Sequence, residues 1–137
     1  MKDWKEKYIS TNKKGNLRKE TPKGMMYIST PEEIVNIIRT IPKGKAISSK
    51  ELTHILSQQH NVDYTCGLTT GIFISIIANY VEQENIKNIP YWRITKEHGL
   101  LYDSYLREPS IQKEYLDKEG HKIIKKNNKY YINLNNN

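Results

Sequence analysis

The most unusual chemistry in this chain lies in one tetrapeptide, Pro90-Tyr91-Trp92-Arg93, where two large aromatic rings stand beside a planar cation. Aromatic faces stack on other rings, and a guanidinium donates hydrogen bonds to carbonyl oxygens or phosphate. A polar, asparagine-rich segment joins this tetrapeptide to the apolar run before it. Because loops held by a rigid element commonly carry binding sites, we take this loop as the first candidate site.

A nucleophile is the second candidate. The only cysteine of the chain is Cys66, which excludes an internal disulfide and a zinc site built from several cysteines. Near a helix amino terminus a thiol becomes more acidic, so Cys66 is a candidate acceptor; a buried, inert cysteine is the alternative. His54 and His60 share a segment, but a spacing of six is poor for ligands on one helix face. We expect no metal site and no cofactor.

Composition favours one domain with a polyanionic partner. The 137 residues carry 22 Lys and Arg against 15 Asp and Glu, a formal net charge of +7. This balance favours nucleic acid or an acidic protein as partner. The sequence lacks the roughly 18 consecutive apolar residues of a membrane span, and its start does not lead into a signal-peptide hydrophobic region. We expect a monomeric, cytoplasmic protein with no membrane partner.

The candidate residues depend on three helices for their positions. Apolar residues over 72–81 cover nearly every side of a helical wheel, which predicts a central helix buried all round. Two amphipathic helices precede it. Each begins with a hydroxyl residue followed three positions later by a glutamate, Thr30 with Glu33 and Ser48 with Glu51, which is the sequence signature of a capping box.

The remaining segments complete the fold prediction. Residues 1–29 form a basic, partly flexible extension, with a short helix over 3–8 and a flexible stretch over 12–24; a polybasic arm on a phosphate backbone is the alternative to a solvated leader. Residues 30–137 form the domain. Its later part has a turn at 97–99, a helix over 110–118 and a hairpin around Lys126-Asn127-Asn128. The expected fold class is mainly α with a small β-hairpin, in a winged helix-turn-helix-like outline.

Three motifs in order over about residues 34–124 resemble the DNA-binding domain of the O6-alkylguanine-DNA alkyltransferases, or methylated-DNA-protein cysteine methyltransferases. The motifs are Ile41-Pro42-Lys43-Gly44-Lys45, Ile89-Pro90-Tyr91-Trp92-Arg93-Ile94 and Tyr115-Leu116-Asp117-Lys118-Glu119-Gly120-His121-Lys122. They look like the entry to the family's helix-turn-helix, its Pro-Cys-His-Arg active-site loop and its closing helix.

The departures from the family pattern bear on function. In the family the loop cysteine accepts an alkyl group and is activated through the neighbouring His and a Glu. Here Tyr91 stands at the cysteine position and Trp92 at the histidine position, while Glu119 is expected to lack both partners. A phenol with an ordinary pKa near 10 is a poor nucleophile at neutral pH.

The pattern is therefore similar to the alkyltransferase-like proteins, which keep this fold without the acceptor cysteine. The resemblance implies a non-enzymatic protein that flips a damaged base, such as O6-alkylguanine, into a pocket and links the lesion to nucleotide excision repair proteins. The expected base pocket comprises Tyr91, Trp92, Arg93 and Glu119. For Arg93, we favour a bracing role, in which it hydrogen-bonds carbonyl oxygens.

The resemblance also assigns double-stranded DNA as a partner. The expected backbone contacts are polar side chains of the helix-turn-helix: Lys43, Lys45, Ser48, Ser49, Thr69, Thr70 and Asn79. Two positions depart from the family, because its Arg at the start of the recognition helix falls near Thr70 and its phosphate-rotating Tyr matches Ser49. Thr69 and Thr70 are equally well explained as helix caps.

Two other functions stay open. The first is an enzyme whose pocket has been reused, including alkyl transfer to Cys66. The second is a module that binds only protein.

Overall fold

A computed structural model describes residues 2–102 and 110–134 of the chain. Within these residues the helices are α1 (Trp4–Lys13), α2 (Pro31–Ile38), α3 (Ser49–His60), α4 (Gly67–Glu84) and α5 (Ser110–Lys118). The strands are β1 (Leu17–Thr21), β2 (Gly24–Ile28), β3 (Ile47–Ser48), β4 (Tyr64–Thr65), β5 (Ile94–Thr95), β6 (Ile124–Lys126) and β7 (Lys129–Tyr131). The fold is mainly α with a small β-hairpin, as the sequence predicts.

Helix α4 is the core helix, but it is not buried all round. Its inner residues have little or no exposed surface and pack with α2, α3 and the loop after α4: Ile74, Ile77, Ala78 and Val81. Within the range predicted to be buried, 72–81, Ile72 is 52% exposed, and Leu68, one turn before that range, is 78% exposed. The prediction of burial on every side is therefore wrong at Ile72.

Both predicted helix starts are confirmed. The Thr30 side chain accepts from the backbone N–H of Glu33, and the Glu33 carboxylate accepts from the backbone N–H of Thr30, a complete capping box. The Ser48 side chain accepts from the backbone N–H of Glu51 at the start of α3. Such a cap stabilises a helix by about 1 kcal/mol.

The amino-terminal segment differs from the prediction, because its expected flexible stretch forms a strand and a turn. Helix α1 extends to Lys13, beyond the predicted 3–8, and β1 pairs antiparallel with β2. Contacts with the rest of the domain explain why this segment is folded. The Tyr8 and Tyr80 rings stack with centroids 4.4 Å apart, and the buried Tyr27 donates to Glu33. Strand β2 also pairs in parallel with β4, in the link between α3 and α4.

Two short strand pairs position the loop and the hairpin. Strand β3 pairs in parallel with β5, which brings the start of α3 beside the strand that follows the tetrapeptide. Strands β6 and β7 form the predicted hairpin. Its turn residues, Asn127 and Asn128, have φ values of 53° and 63°, a left-handed pair that asparagine tolerates and a two-residue hairpin favours.

The predicted last helix and its end are also confirmed. Leu116 of α5 is buried with Ala46, Leu101 and Ile132 in a second, smaller core under the hairpin. Gly120 ends the helix with a φ of 94°, and the backbone N–H of His121 returns to the carbonyl of Leu116. In the described part of the chain, every helix is too short or too polar to cross a membrane.

Candidate functional site

The tetrapeptide forms a tight turn between the core helix and β5. Asn85 follows the last residue of α4, and its φ of 53° turns the chain away from the helix axis. Residues Tyr91–Arg93 then form one turn of 3-10 helix, which Ile94 continues into β5. Neighbouring side chains in this turn point in different directions, so each of the three residues meets a different part of the protein.

Tyr91 points into the core. Its side chain has no exposed surface, and its hydroxyl donates a 2.9 Å hydrogen bond to Oε2 of Glu82. The hydroxyl of Tyr115 donates to the same oxygen at 3.1 Å. Burial, with the Glu82 carboxylate as a second cause, raises the pKa of Tyr91 well above its ordinary value. The phenol is therefore neutral at physiological pH and cannot act as an anionic nucleophile.

Trp92 lies in an aromatic cluster. Its ring stacks on Tyr115 with centroids 4.1 Å apart and an interplanar angle of 11°. The Tyr91 ring meets both with its edge, at 5.4 Å from Trp92 and 6.2 Å from Tyr115. Trp92 keeps partial exposure whereas Tyr91 has none. Of the two loop aromatics, Trp92 is thus the one that a ligand can reach without repacking the core.

Arg93 braces the loop. Its Nε and one terminal nitrogen donate to the two oxygens of Glu119 at 3.0 and 2.6 Å, and its other terminal nitrogen donates to the Ile41 carbonyl at 2.7 Å. The two side chains are only 13% and 8% exposed. Burial acts to raise the pKa of Glu119, but the hydrogen bonds from Arg93 outweigh it and hold the pKa below its ordinary value.

The expected loss of the family's Cys and His leaves Glu119 with a different partner, because its carboxylate is ion-paired with Arg93. The carbonyl of Glu119 lies 3.8 Å from where a Cβ on Gly44 would be, so the Lys43 to Lys45 turn lies against the same pair. The structure therefore brings together the expected pocket residues and the first two expected backbone contacts, and both lysines are exposed.

The other residues expected to contact the DNA backbone lie along α3 and α4. Ser48 caps α3, and Ser49 is half-buried beside it. Thr69 lies 3.2 Å from the Cys66 sulfur, and Asn79 donates to the carbonyl of Ser75 within α4. In the free chain, Asn79 is thus already engaged by its own helix.

Thr70 was expected to contact the DNA backbone or to cap α4, but its side chain is buried. It is 2% exposed, and its hydroxyl donates to the Cys66 carbonyl one turn earlier. A buried side chain cannot reach a phosphate, and the residue that precedes the first turn of α4 is Cys66, not a threonine. Thr70 is therefore not the N-cap residue of α4, and its buried hydroxyl is engaged by its own helix.

Cys66 lies far from the loop. Burial acts to raise the pKa of its thiol, but the Thr69 hydroxyl and the first backbone N–H groups of α4 outweigh it and lower the pKa. Glu82, which holds Tyr91, is 16 residues further along the same helix, about 24 Å at 1.5 Å per residue. A base held at the loop would be out of reach of this thiol.

Three features of the site were not predicted. Glu82 and the aromatic role of Tyr115 are revealed only by the folded chain. A cleft of about 770 Å³ also lies between the start of α3 and the hairpin, lined in part by Ser48, Lys50 and Lys126. Over the described ranges, no group of His, Cys, Asp and Glu could hold a metal ion.

The comparisons with known proteins identify the fold. No protein-family model matches the chain, and no functionally curated protein matches it. Two solved structures share its fold: S. pombe Atl1 in complex with damaged DNA containing O6-carboxymethylguanine, and S. pombe ATL in complex with DNA. Each has a TM-score of 0.60 at 18% sequence identity, and each match covers 77% of this chain and 90% of the solved chain.

Proposed function

We propose that this chain is a non-enzymatic DNA-binding protein of the alkyltransferase-like type, which recognises damaged double-stranded DNA. The observation that carries the proposal is its fold, which matches nine-tenths of a chain solved with damaged DNA. The excess of basic residues supports the same partner, since neutralising phosphates supplies much of the affinity of DNA-binding proteins.

The loop offers no activated nucleophile. Tyr91 is a buried, neutral phenol held by Glu82, and Cys66 is about 24 Å away along α4. The family's acceptor cysteine has no equivalent here, and the one thiol of the chain lies at the other end of the core helix. We therefore propose that this site binds a base without reacting with it.

DNA would contact the helix-turn-helix formed by α3 and α4, with the β6–β7 hairpin as the wing. Lys43 and Lys45 are exposed next to the loop and would contact phosphates, as would Lys126 of the hairpin. The cleft between the hairpin and the start of α3 is the space in which a backbone strand would lie. Winged-helix docking of this kind places α4 in a groove of the duplex.

For the flipped base, Trp92 is the proposed stacking partner. It is partly exposed and already held flat by Tyr115, so its orientation is fixed before a base arrives. Base-to-aromatic stacking contributes about 1 to 3 kcal/mol, enough to offset much of the cost of extruding a damaged base. Tyr91 would support this platform from the core. The bound lesion would then be handed to nucleotide excision repair proteins.

A gel-shift or anisotropy titration of a fluorescent unmodified duplex of about 20 base pairs, at about 0.15 M salt, tests the assignment of DNA as partner. We expect saturable binding that weakens as salt is added. Absence of binding at this ionic strength would remove DNA from the account and leave a protein-interaction module as the better description.

A further inference from the structure

The positive charge of the chain is concentrated at its amino end. The first 28 residues hold eight Lys and Arg against three Asp and Glu, so they carry +5 of the formal net charge of +7. Five of these cations are exposed and lie around β1, with Glu20 as the single carboxylate among them: Lys13, Lys14, Arg18, Lys19 and Lys23. The charge therefore sits on an ordered helix and hairpin.

This segment packs along α4, with the start of α1 at the carboxyl end of α4 and β2 paired with the strand that leads into its amino end. The backbone N–H of Trp4, at the start of α1, donates to Oε1 of Gln83 near the end of α4 at 2.9 Å. Helix α1 runs back along α4, since Tyr8 stacks on Tyr80 and both Thr11 and Phe73 line one cleft. Strand β2 pairs with β4, which leads directly into α4.

An exposed apolar face lies next to these cations. Leu68 and Ile72 are 78% and 52% exposed and are four residues apart, so they share one face of α4. Ile72 and the 52% exposed Leu17 line the same cleft of about 450 Å³. Lys7 and Lys14 also line it, and none of the described residues around it is acidic.

Leucine and isoleucine side chains this exposed, beside cations and at a cleft whose described lining holds no carboxylate, suit a partner that is anionic at its edges and apolar between them. A DNA groove has this character, because phosphates flank the apolar faces of sugars and bases, and proteins press apolar side chains against them. The surface also adjoins the start of α4, the helix proposed to enter the groove. One duplex could therefore contact both.

We infer that Leu17, Lys14, Lys19, Leu68 and Ile72 form a second contact surface for duplex DNA, the N-terminal surface, with the lysines on phosphates and the apolar side chains against the groove. Leu17 and Lys19 are two apart on β1 and so point to the same side of the sheet. The inference rests on the proposed function, because it takes the same duplex as ligand.

The test compares two double variants of the full chain. Lys14→Gln with Lys19→Gln removes two charges from the N-terminal surface. Lys5→Gln with Lys87→Gln removes two exposed charges from the carboxyl end of α4, where α1 begins. Each phosphate contact contributes about 0.9 to the slope of log K against log salt.

We expect the first variant to lower that slope by about 2 and to weaken binding at 0.1 M salt by at least about tenfold, and the second to change both far less. Equal changes in the two variants would overturn the inference while leaving the proposed function intact. Failure of the wild-type chain to bind duplex would overturn both. The inference would also be overturned if the first variant kept duplex binding but lost binding to phosphatidylserine vesicles, since the surface would then serve a membrane.

Leu68→Ala tests the apolar part. Because one apolar contact is lost, we expect duplex binding about fivefold weaker. Because no charge is removed, we expect the dependence of the binding constant on salt to stay unaltered. Far-ultraviolet circular dichroism should match the wild type, since the side chain is 78% exposed. Unchanged affinity would remove Leu68 from the surface.

Discussion

The hydroxyl of Tyr91 donates to the carboxylate of Glu82 across 2.9 Å, from the loop back to the helix that presents it. Tyr115 of α5 donates to the same carboxylate oxygen. One partly buried acceptor thus joins the core helix, the loop and the last helix. This contact fixes the position of Tyr91, the residue that the sequence resemblance aligns with the acceptor cysteine of the alkyltransferases.

Tyr91→Phe should lower the free energy of unfolding by about 1 to 2 kcal/mol, because it leaves the partly buried Glu82 carboxylate with one donor fewer. Urea denaturation followed by circular dichroism measures the change. The matched control is Tyr130→Phe on the half-exposed hairpin strand, expected to shift stability by under about 0.5 kcal/mol. Equal effects of the two changes would mean that the Tyr91 hydrogen bond contributes little.

Glu119→Gln should destabilise the protein by about 3 kcal/mol, since it leaves the buried Arg93 charge without its counter-charge. The loss should be smaller when Arg93 is replaced as well, which a double-mutant cycle in urea would measure. Strictly additive losses would show that the pair is not coupled.

The same pair predicts a response to acid. The pKa of Glu119 is lower in the folded chain than its ordinary value of 4.5, so the stabilising contribution is complete above that value and is lost as the pH falls through the folded pKa. Between about pH 5 and pH 3 the wild type should therefore lose stability more steeply than Glu119→Gln. Parallel curves for the two proteins would contradict this role of the carboxylate.

Trp92→Ala should weaken binding to a duplex containing O6-methylguanine by about tenfold, through loss of base stacking. The control is Trp4→Ala, because Trp4 lies at the start of α1 near the carboxyl end of α4 and away from the loop. Fluorescence anisotropy gives both affinities. If the Trp92 variant binds like the wild type, the aromatic cluster is a core element and not a base platform.

Incubation with an excess of O6-methylguanine duplex should leave the intact mass of the protein unchanged, because Tyr91 is a neutral phenol and Cys66 is distant from the loop. Intact-protein mass spectrometry detects the gain of one methyl group. Such a gain, abolished by Cys66→Ser, would identify an enzyme whose acceptor had moved.

Parts of the fold that local chemistry specifies were predictable from sequence. Thr30 with Glu33 and the Asn127-Asn128 turn are complete within a few residues, so their structures could be predicted directly. Strand β1 could not, because four of its five residues are exposed and its sequence shows no apolar alternation. Its partner strand and the packing of Tyr27 decide its structure.

The candidate site shows the same division. The order of the motifs placed Arg93 and Glu119 in one site, and the structure joins them. Glu82 gave no signal, since it lies in a polar run and its two donors are 9 and 33 residues away. The exposure of Ile72 was equally unpredictable, because an apolar residue on a hydrophobic helix is expected to be buried.

The central claim is that the chain recognises a lesion without repairing it. Its most direct test is a parallel anisotropy titration, at about 0.15 M salt, of two duplexes that differ only by one O6-methylguanine. We predict tighter binding to the modified duplex, with full release of unaltered DNA when competitor is added. Equal affinity for the two duplexes would contradict the claim.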